Sequence, residues 1–401
     1  MKPKVIAIAL LAFTATTVAL YPTLRGTGAA VPVTGAPPPI VSLTNDRPKV
    51  EVAFVLDTTG SMGGLIQAAK EKIWSIASTM ASAQPAPEIR MGLVAYRDRG
   101  DSYVTRVVDL SSDLDSMYAT LMDFRADGGG DGPESVNQAL YDGVQKLSWS
   151  QDEQTYRVLF LVGDAPPHMD YQDDVKWPKT VETAHKLGIR VNAIQCGNDG
   201  SATEAWRKIA ALGQGRYFQV EQAGSAVAIA TPYDARLAEL SAQMDETRLY
   251  YGDSEDKETH RRKLEATKKL HESATLESRA RRAVFNTSKS GETNFLGSKD
   301  LVDDVTGGRV DLADIPQEEL PAPLQALPPQ AQKSLVDETA ERRNSLKQEM
   351  RELGEQRAAY LRKEVEERGG GEGSLDHGIY RAVRDQAADA GLNYEAEAPA
   401  Y

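Results

Sequence analysis

Val52-Ala53-Phe54-Val55-Leu56-Asp57-Thr58-Thr59-Gly60-Ser61-Met62 is the stretch on which the fold turns. Its apolar run is unbroken until Asp57, the pattern of a strand buried on both faces of a parallel sheet. The chain then turns at Gly60 and continues in an amphipathic helical pattern from about Met62 to Met80. A carboxylate and two hydroxyls (Asp57, Thr59 and Ser61) alternate along the carboxyl end of that strand. Open α/β sheets keep their ligands at this edge, and hard oxygen donors suit a hard divalent cation. An Asx-type turn followed by a helix cap uses the same residues, so the motif alone leaves both readings open.

Two later segments bear on that choice. Tyr156-Arg157-Val158-Leu159-Phe160-Leu161-Val162-Gly163-Asp164 reads as a second buried strand delivering Asp164 to the same edge. Between them, Asp127-Gly128-Gly129-Gly130-Asp131-Gly132-Pro133-Glu134-Ser135 is an acidic, glycine-rich loop running into a helix, with Pro133 suited to a first turn. Together the three segments resemble the metal-ion-dependent adhesion site of the von Willebrand factor type A domain, over roughly residues 49–225.

The resemblance implies a metal set. The family motif DxSxS falls on Asp57, Thr59 and Ser61, with a threonine hydroxyl replacing the middle serine. The family's next ligand is a loop threonine; here the nearest residue is Asp131, a departure also found in bacterial relatives carrying Gly-Gly-Gly-Asp-x-Pro-Glu, some joined to alpha-type kinases. Its last ligand maps onto Asp164. The implied cofactor is Mg2+, with Mn2+ or Ca2+ as alternatives. The implied partner is a protein whose Asp or Glu completes the metal shell, although an extra carboxylate beside the ion lowers its appetite for an acidic group. Asp98, Asp127, Glu134 and His168 are candidates for the rim or for orienting the ligands. For Asp98 a salt-bridged turn is the competing reading, and for His168 a hydrogen bond within its own loop.

The chain of 401 residues is long enough for more than one structural unit. Its net charge of −13 argues against nucleic acid as the main partner, because phosphate contacts need clustered Lys and Arg. The single cysteine, Cys196, excludes an intramolecular disulfide and, ending an apolar strand, reads as a small buried hydrophobe. Lys2 and Lys4 precede an apolar stretch from Val5 to Tyr21, so residues 1–30 read as a signal peptide or a membrane anchor. Export to the periplasm or another extracytoplasmic space is the expectation, with cleavage or retention of the segment left open.

Residues 31–48 form a Pro- and Gly-rich tether with no apolar periodicity. Within 49–225, strands alternate with helices of ten to fifteen residues, which predicts a Rossmann-type open, mostly parallel α/β sheet covered on both faces. Tyr103–Leu110 reads as a partly exposed edge strand and Pro133–Leu147 as a helix. Beyond it lie a charged helical region (226–290), an irregular Gly/Pro-rich segment (291–330) and a helical carboxyl-terminal region (331–401). Leu346, Met350, Leu353, Tyr360 or Leu361, and Val365 form a stripe that predicts packing against another helix, in this chain or in a partner. Nothing here fixes an oligomeric state.

The motifs favour binding over catalysis. Ser61 has no histidine near it in sequence, and its setting is not the strained Gly-x-Ser-x-Gly turn of a hydrolase. The phosphate-cradling Gly-x-x-x-x-Gly-Lys-Ser/Thr pattern is also missing. A cation-dependent protein-binding or assembly module of the cell envelope is the leading expectation. The alternatives are a magnesium-dependent hydrolase or phosphatase, since a cation can activate water, and a structural protein stabilised by its metal.

Overall fold

The computed structural model describes residues 47–130, 132–152, 154–220, 229–367 and 375–394. Asp131 and the amino-terminal segment 1–46 therefore lie outside the described residues. Six strands form one sheet in the order β3-β2-β1-β4-β5-β6: β1 Lys49–Asp57, β2 Glu88–Tyr96, β3 Thr105–Ser111, β4 Thr155–Gly163, β5 Ile189–Cys196 and β6 Gln214–Val220. All neighbours pair in parallel except β2 and β3, so β3 is antiparallel, and it lies at the sheet edge as its alternating sequence predicts. β1 is flanked by β2 and β4, and the direction of winding reverses between β1 and β4. Their carboxyl ends open a crevice at that switch point, where such sheets bind ligands.

The unbroken apolar runs are explained by helices on both faces. Val50, Val52 and Leu56 pack against α1 (Gly63–Ala81) and α2 (Leu114–Leu121), through Ile73, Trp74 and Tyr118. Ala53 and Val55 face α3 (Val136–Gln145), where they meet Leu140 and Val144. That second layer is completed by α4 (Trp177–Lys186) and α5 (Gly200–Leu212). Burial of each large aliphatic side chain contributes on the order of 1.5–3 kcal/mol.

One expected boundary moves for a reason that matters to the site. The predicted helix from Pro133 begins at Val136 instead. Glu134 is paired with Pro167 in a short parallel bridge, its amide donating to Pro166 O at 2.9 Å and its carbonyl accepting from His168 N at 3.1 Å. Backbone groups committed to the loop after β4 cannot also enter a helix.

The remainder is helical: α6 Asp234–Asp245, α7 Ser254–Ser273, α8 Leu276–Thr287, short α9 Glu292–Leu296, α10 Leu301–Thr306 and α11 Ala322–Gln325, then α12 Pro329–Glu367 and α13 Leu375–Ala387. α6 and α7 are separate helices because Asp253 caps α7 in a reciprocal capping box with Asp256. In α12, Leu346 and Met350 pack into a core with Leu237, Leu240 and Phe295, so part of the stripe is satisfied within this chain. Leu270, Phe285, Ile379, Tyr380 and Val383 join the same core cluster as Val52 and Trp74, continuing the sheet's own core. Among the described residues, no helix is long and apolar enough to cross a membrane.

Candidate functional site

The turn after β1 is organised around one carboxylate. Asp57 is fully buried, and its Oδ1 accepts from Thr59 N at 2.9 Å and from Thr59 Oγ1 at 2.7 Å. Thr59 Oγ1 lies 3.4 Å from Ser61 Oγ, so the three motif residues form a contiguous oxygen arc. This is an Asx-type turn, as the alternative reading required, but it consumes only one of the two carboxylate oxygens. Asp57 Oδ2 is buried and accepts no hydrogen bond. An unsatisfied buried acceptor costs about 1–3 kcal/mol, and a cation is the natural group to offset it.

The glycine-rich loop is lashed to this turn. Gly60 N donates to Gly128 O at 3.0 Å and Asp127 N to Thr58 O at 3.1 Å. Gly128 and Gly129 have φ of +77° and +76°, a region costly for residues with a Cβ. Arg97, at the end of β2, bridges both loops through Thr58 O at 3.2 Å and Arg125 O at 2.8 Å. Asp101 Oδ2 accepts from Gly129 N at 3.0 Å. Arg97 and Asp101, which follow β2, reach these loops because β2 lies beside β1.

The rim candidates separate in the structure. Asp98 accepts from Ser135 Oγ at 2.8 Å and from Tyr171 OH at 2.9 Å, with His168 Nε2 at 3.4 Å. It thus ties the end of β2 to the start of α3 and to the loop after β4. His168 stacks on Tyr171 with ring centroids 4.0 Å apart, and its Nδ1 lies 2.8 Å from Asp170 Oδ1. His168 is therefore bonded within its own loop and is also linked to Asp98. Asp127 is exposed and paired with Arg97 at 3.5 Å. Glu134 is 4% exposed, and its Oε2 accepts no hydrogen bond.

Asp164 follows β4 and lines an open cleft of about 780 Å³ together with Thr59, Ser61, Gly129, Glu134 and Asn198. Burial pushes the Asp57 carboxyl up to about 7, although the Thr59 amide and hydroxyl pull the other way. Glu134 is pushed up to about 9, by burial first and then by the charges of Asp57, Asp98, Asp101 and Asp164. Crowded carboxylates that resist ionisation in this way favour a divalent cation over a proton once one is supplied. Among the described residues, no three His, Cys, Asp or Glu side chains are gathered tightly enough to hold a metal by themselves. An ion here would lean on the hydroxyls of Thr59 and Ser61 and on water, an oxygen-only set suited to magnesium.

A family model described as von Willebrand factor A domain matches residues 51–231. Residues 51–231 are a von Willebrand factor A domain. Such domains are modules that often mediate metal-dependent protein interactions. The rat von Willebrand factor A domain-containing protein 7 is 39% identical over 98 residues, covering 24% of this chain and 10% of that protein. The alpha-protein kinase vwkA of Dictyostelium discoideum is 28% identical over 120 residues, 30% of this chain and 19% of that one. The chain thus spans a small part of the curated relatives it matches. Among solved structures, mussel byssus proximal thread matrix protein 1 with a zinc-occupied MIDAS motif aligns at 16% identity and a TM-score of 0.34, covering 43% of this chain and 42% of that one.

Proposed function

We propose that this protein is a divalent-cation-dependent protein-binding or assembly module, with the ion held at the crevice between β1 and β4. The observation that carries the reading is Asp57 Oδ2, a buried carboxylate oxygen without a hydrogen bond beside the Thr59 and Ser61 hydroxyls. Asp57, Thr59, Ser61 and Asp164 would hold the ion directly or through water; Asp131 was expected in this set from sequence and keeps that expected role. Magnesium is the favoured ion, since it retains several waters and needs few protein ligands. A partner oxygen takes one of the water positions, an Asp or Glu side chain being the donor that the family resemblance implies.

Titration calorimetry with magnesium, manganese and calcium tests this reading on the full chain and on Asp57→Ala. One saturable site lost in the variant is expected. Equal heats from both proteins would remove Asp57 from the role.

The envelope setting rests on Lys2, Lys4 and the apolar stretch from Val5 to Tyr21. The carboxyl-terminal region is expected to be digested by protease when the outer barriers are opened and the inner membrane stays sealed. Protection in that assay would place the protein in the cytoplasm.

A further inference from the structure

We propose that Tyr96 is a positioning residue of the cation site, its hydroxyl donating to the free carboxylate oxygen of Asp57 from the buried side; this rests on the cation reading above. Asp57 and Tyr96 are register partners at the ends of the parallel strands β1 and β2, so their side chains leave the sheet on the same face. Tyr96 is fully buried, in the core layer with Val55, Val136 and Leu140. Its backbone is pinned to the motif turn, where its carbonyl accepts from Thr58 N at 2.9 Å and from Thr58 Oγ1 at 2.8 Å. Ring and backbone are thus both held, and the hydroxyl proton is the part left free to turn.

That hydroxyl ends beside Asp57. A Cβ built on Gly163, the last residue of β4, would collide with Tyr96 OH and stand 3.0 Å from Asp57 Oδ2. Tyr96 therefore reaches from β2 past the end of β1 to β4, and a glycine at 163 leaves room for it. Tyr96 OH and Asp57 Oδ2 crowd one point, and each is buried without a hydrogen bond. Left apart, an orphaned donor and an orphaned acceptor cost about 1–3 kcal/mol each; paired, they satisfy one another. Burial first, and then the charge of Asp57, push the Tyr96 phenol well above its ordinary range, so the hydroxyl keeps the proton it must donate. Thr59 already serves Oδ1, and the Arg97 guanidinium is committed to Thr58 O, Arg125 O, Ser102 and Asp127. A carboxylate oxygen has two lone pairs, so Oδ2 can take the tyrosine proton and still present the other to the ion. Being fully buried, Tyr96 meets Asp57 and not the ion. Its hydrogen bond offsets the cost of charging a buried carboxylate and fixes where its oxygen points, as partners of metal-ligating groups do.

The test uses the full chain, manganese as the probe and Tyr96→Phe, which keeps the ring and removes only the hydroxyl. The variant is expected to bind manganese about tenfold more weakly, the loss typical of such a partner. A spectroscopic readout separates positioning from packing. The infrared carboxylate band that Asp57→Ala removes from the ion-free protein at pH 8 should lie at a different frequency when the same substitution is made in Tyr96→Phe. Unchanged affinity, or weaker binding with the band unmoved, would overturn the proposal. Should Tyr96→Phe fail to fold, Tyr96→4-fluorophenylalanine fills the hydroxyl's space without a proton and is read the same way. The parent reading fails separately, if the unaltered chain and Asp57→Ala are equally inert toward the ion. Loss in Asp57→Ala with normal binding by Tyr96→Phe would sink only the role of Tyr96.

Discussion

At the scale of single residues, Asp57 sets stability against binding. Burial outweighs the hydrogen bonds from Thr59 and pushes its carboxyl up from the ordinary 3.8 to about 7. For a raised group, the stabilising contribution is complete below the unfolded value and is lost as pH rises through the folded one. The metal-free protein should therefore lose stability from this site between about pH 4 and pH 7, and magnesium should restore it. The shift in melting temperature between magnesium and chelator is expected to be larger at pH 8 than at pH 5, as scanning fluorimetry would read. A shift independent of pH would contradict the assignment. Asp57→Asn should remove magnesium binding while raising the melting temperature of the metal-free protein at pH 8, since a neutral amide carries no ionisation cost there. Gly129→Ala tests the loop. Holding alanine at φ +76°, with its Cβ 2.9 Å from Glu134 Oε1, should cost about 1–2 kcal/mol and weaken cation binding, measured by denaturant titration and calorimetry.

At the scale of elements, the helical extension is joined to the α/β domain through a buried ion cluster on α2, α6 and α8. Arg282 is fully buried; its Nε donates to Asp115 Oδ1 at 2.6 Å, and its Nη1 to Asp245 Oδ2 and to Ser241 Oγ, both at 2.8 Å. Burial pushes the Asp115 carboxyl up, but the Arg282 guanidinium outweighs it and holds Asp115 at about 2. A depressed carboxylate contributes stability above its unfolded value and loses it as pH falls through the folded one. Acid should thus loosen this junction between about pH 4 and pH 2. Arg282→Met should destabilise by about 3–5 kcal/mol, because it leaves the buried Asp115 carboxylate without its guanidinium, while Asp245 keeps Arg248 and His271; a loss below about 1 kcal/mol in urea unfolding would show the cluster to be superficial. None of this is legible in the sequence, where Arg282 stands near Arg279 and Arg281 among acidic neighbours with nothing local to mark it as buried. Arg282 and its partner Asp115 lie 167 residues apart, and no local pattern marks a pair that only the tertiary fold creates. β1 and β4 were legible because burial on both faces leaves an unbroken apolar run. The arc from Asp57 to Ser61 was legible because one turn carries it. Glu134 was seen only as a rim candidate, because its inward aim comes from the bridge to Pro167, a contact between segments more than thirty residues apart.

At the scale of the whole molecule, the question is whether the α/β domain and the helices stand independently. The first core cluster answers in terms of shared surface. Trp74 of α1 lies against Tyr118 of α2 and Phe285 of α8, each with ring centroids 5.8 Å away. On α13, Ile379, Tyr380, Val383 and Ala387 are all buried in the same cluster as Val52, Met80 and Val158. α13 packs against α1 and β6, and Tyr156 OH of β4 donates to Gln386 Oε1 at 2.8 Å. A protein cut after the α/β domain would expose this apolar surface, and such patches drive association. The full chain should unfold in one calorimetric transition, because α2, α7 and α8 cannot separate without opening a common core. A fragment spanning residues 47–230 is expected to melt lower, bind a hydrophobic dye and aggregate. If that fragment stays monomeric with the melting temperature of the full chain, the extension is a separate folding unit and the shared core contributes little. If it remains folded but weaker, its calcium and magnesium titrations show whether the helices also hold the cation site in shape. Lys269 of α7 pairs with Asp123 at 2.5 Å and donates to Ala119 O at 2.8 Å, just ahead of the glycine-rich loop, so loss of α7 should weaken ion binding as well as stability.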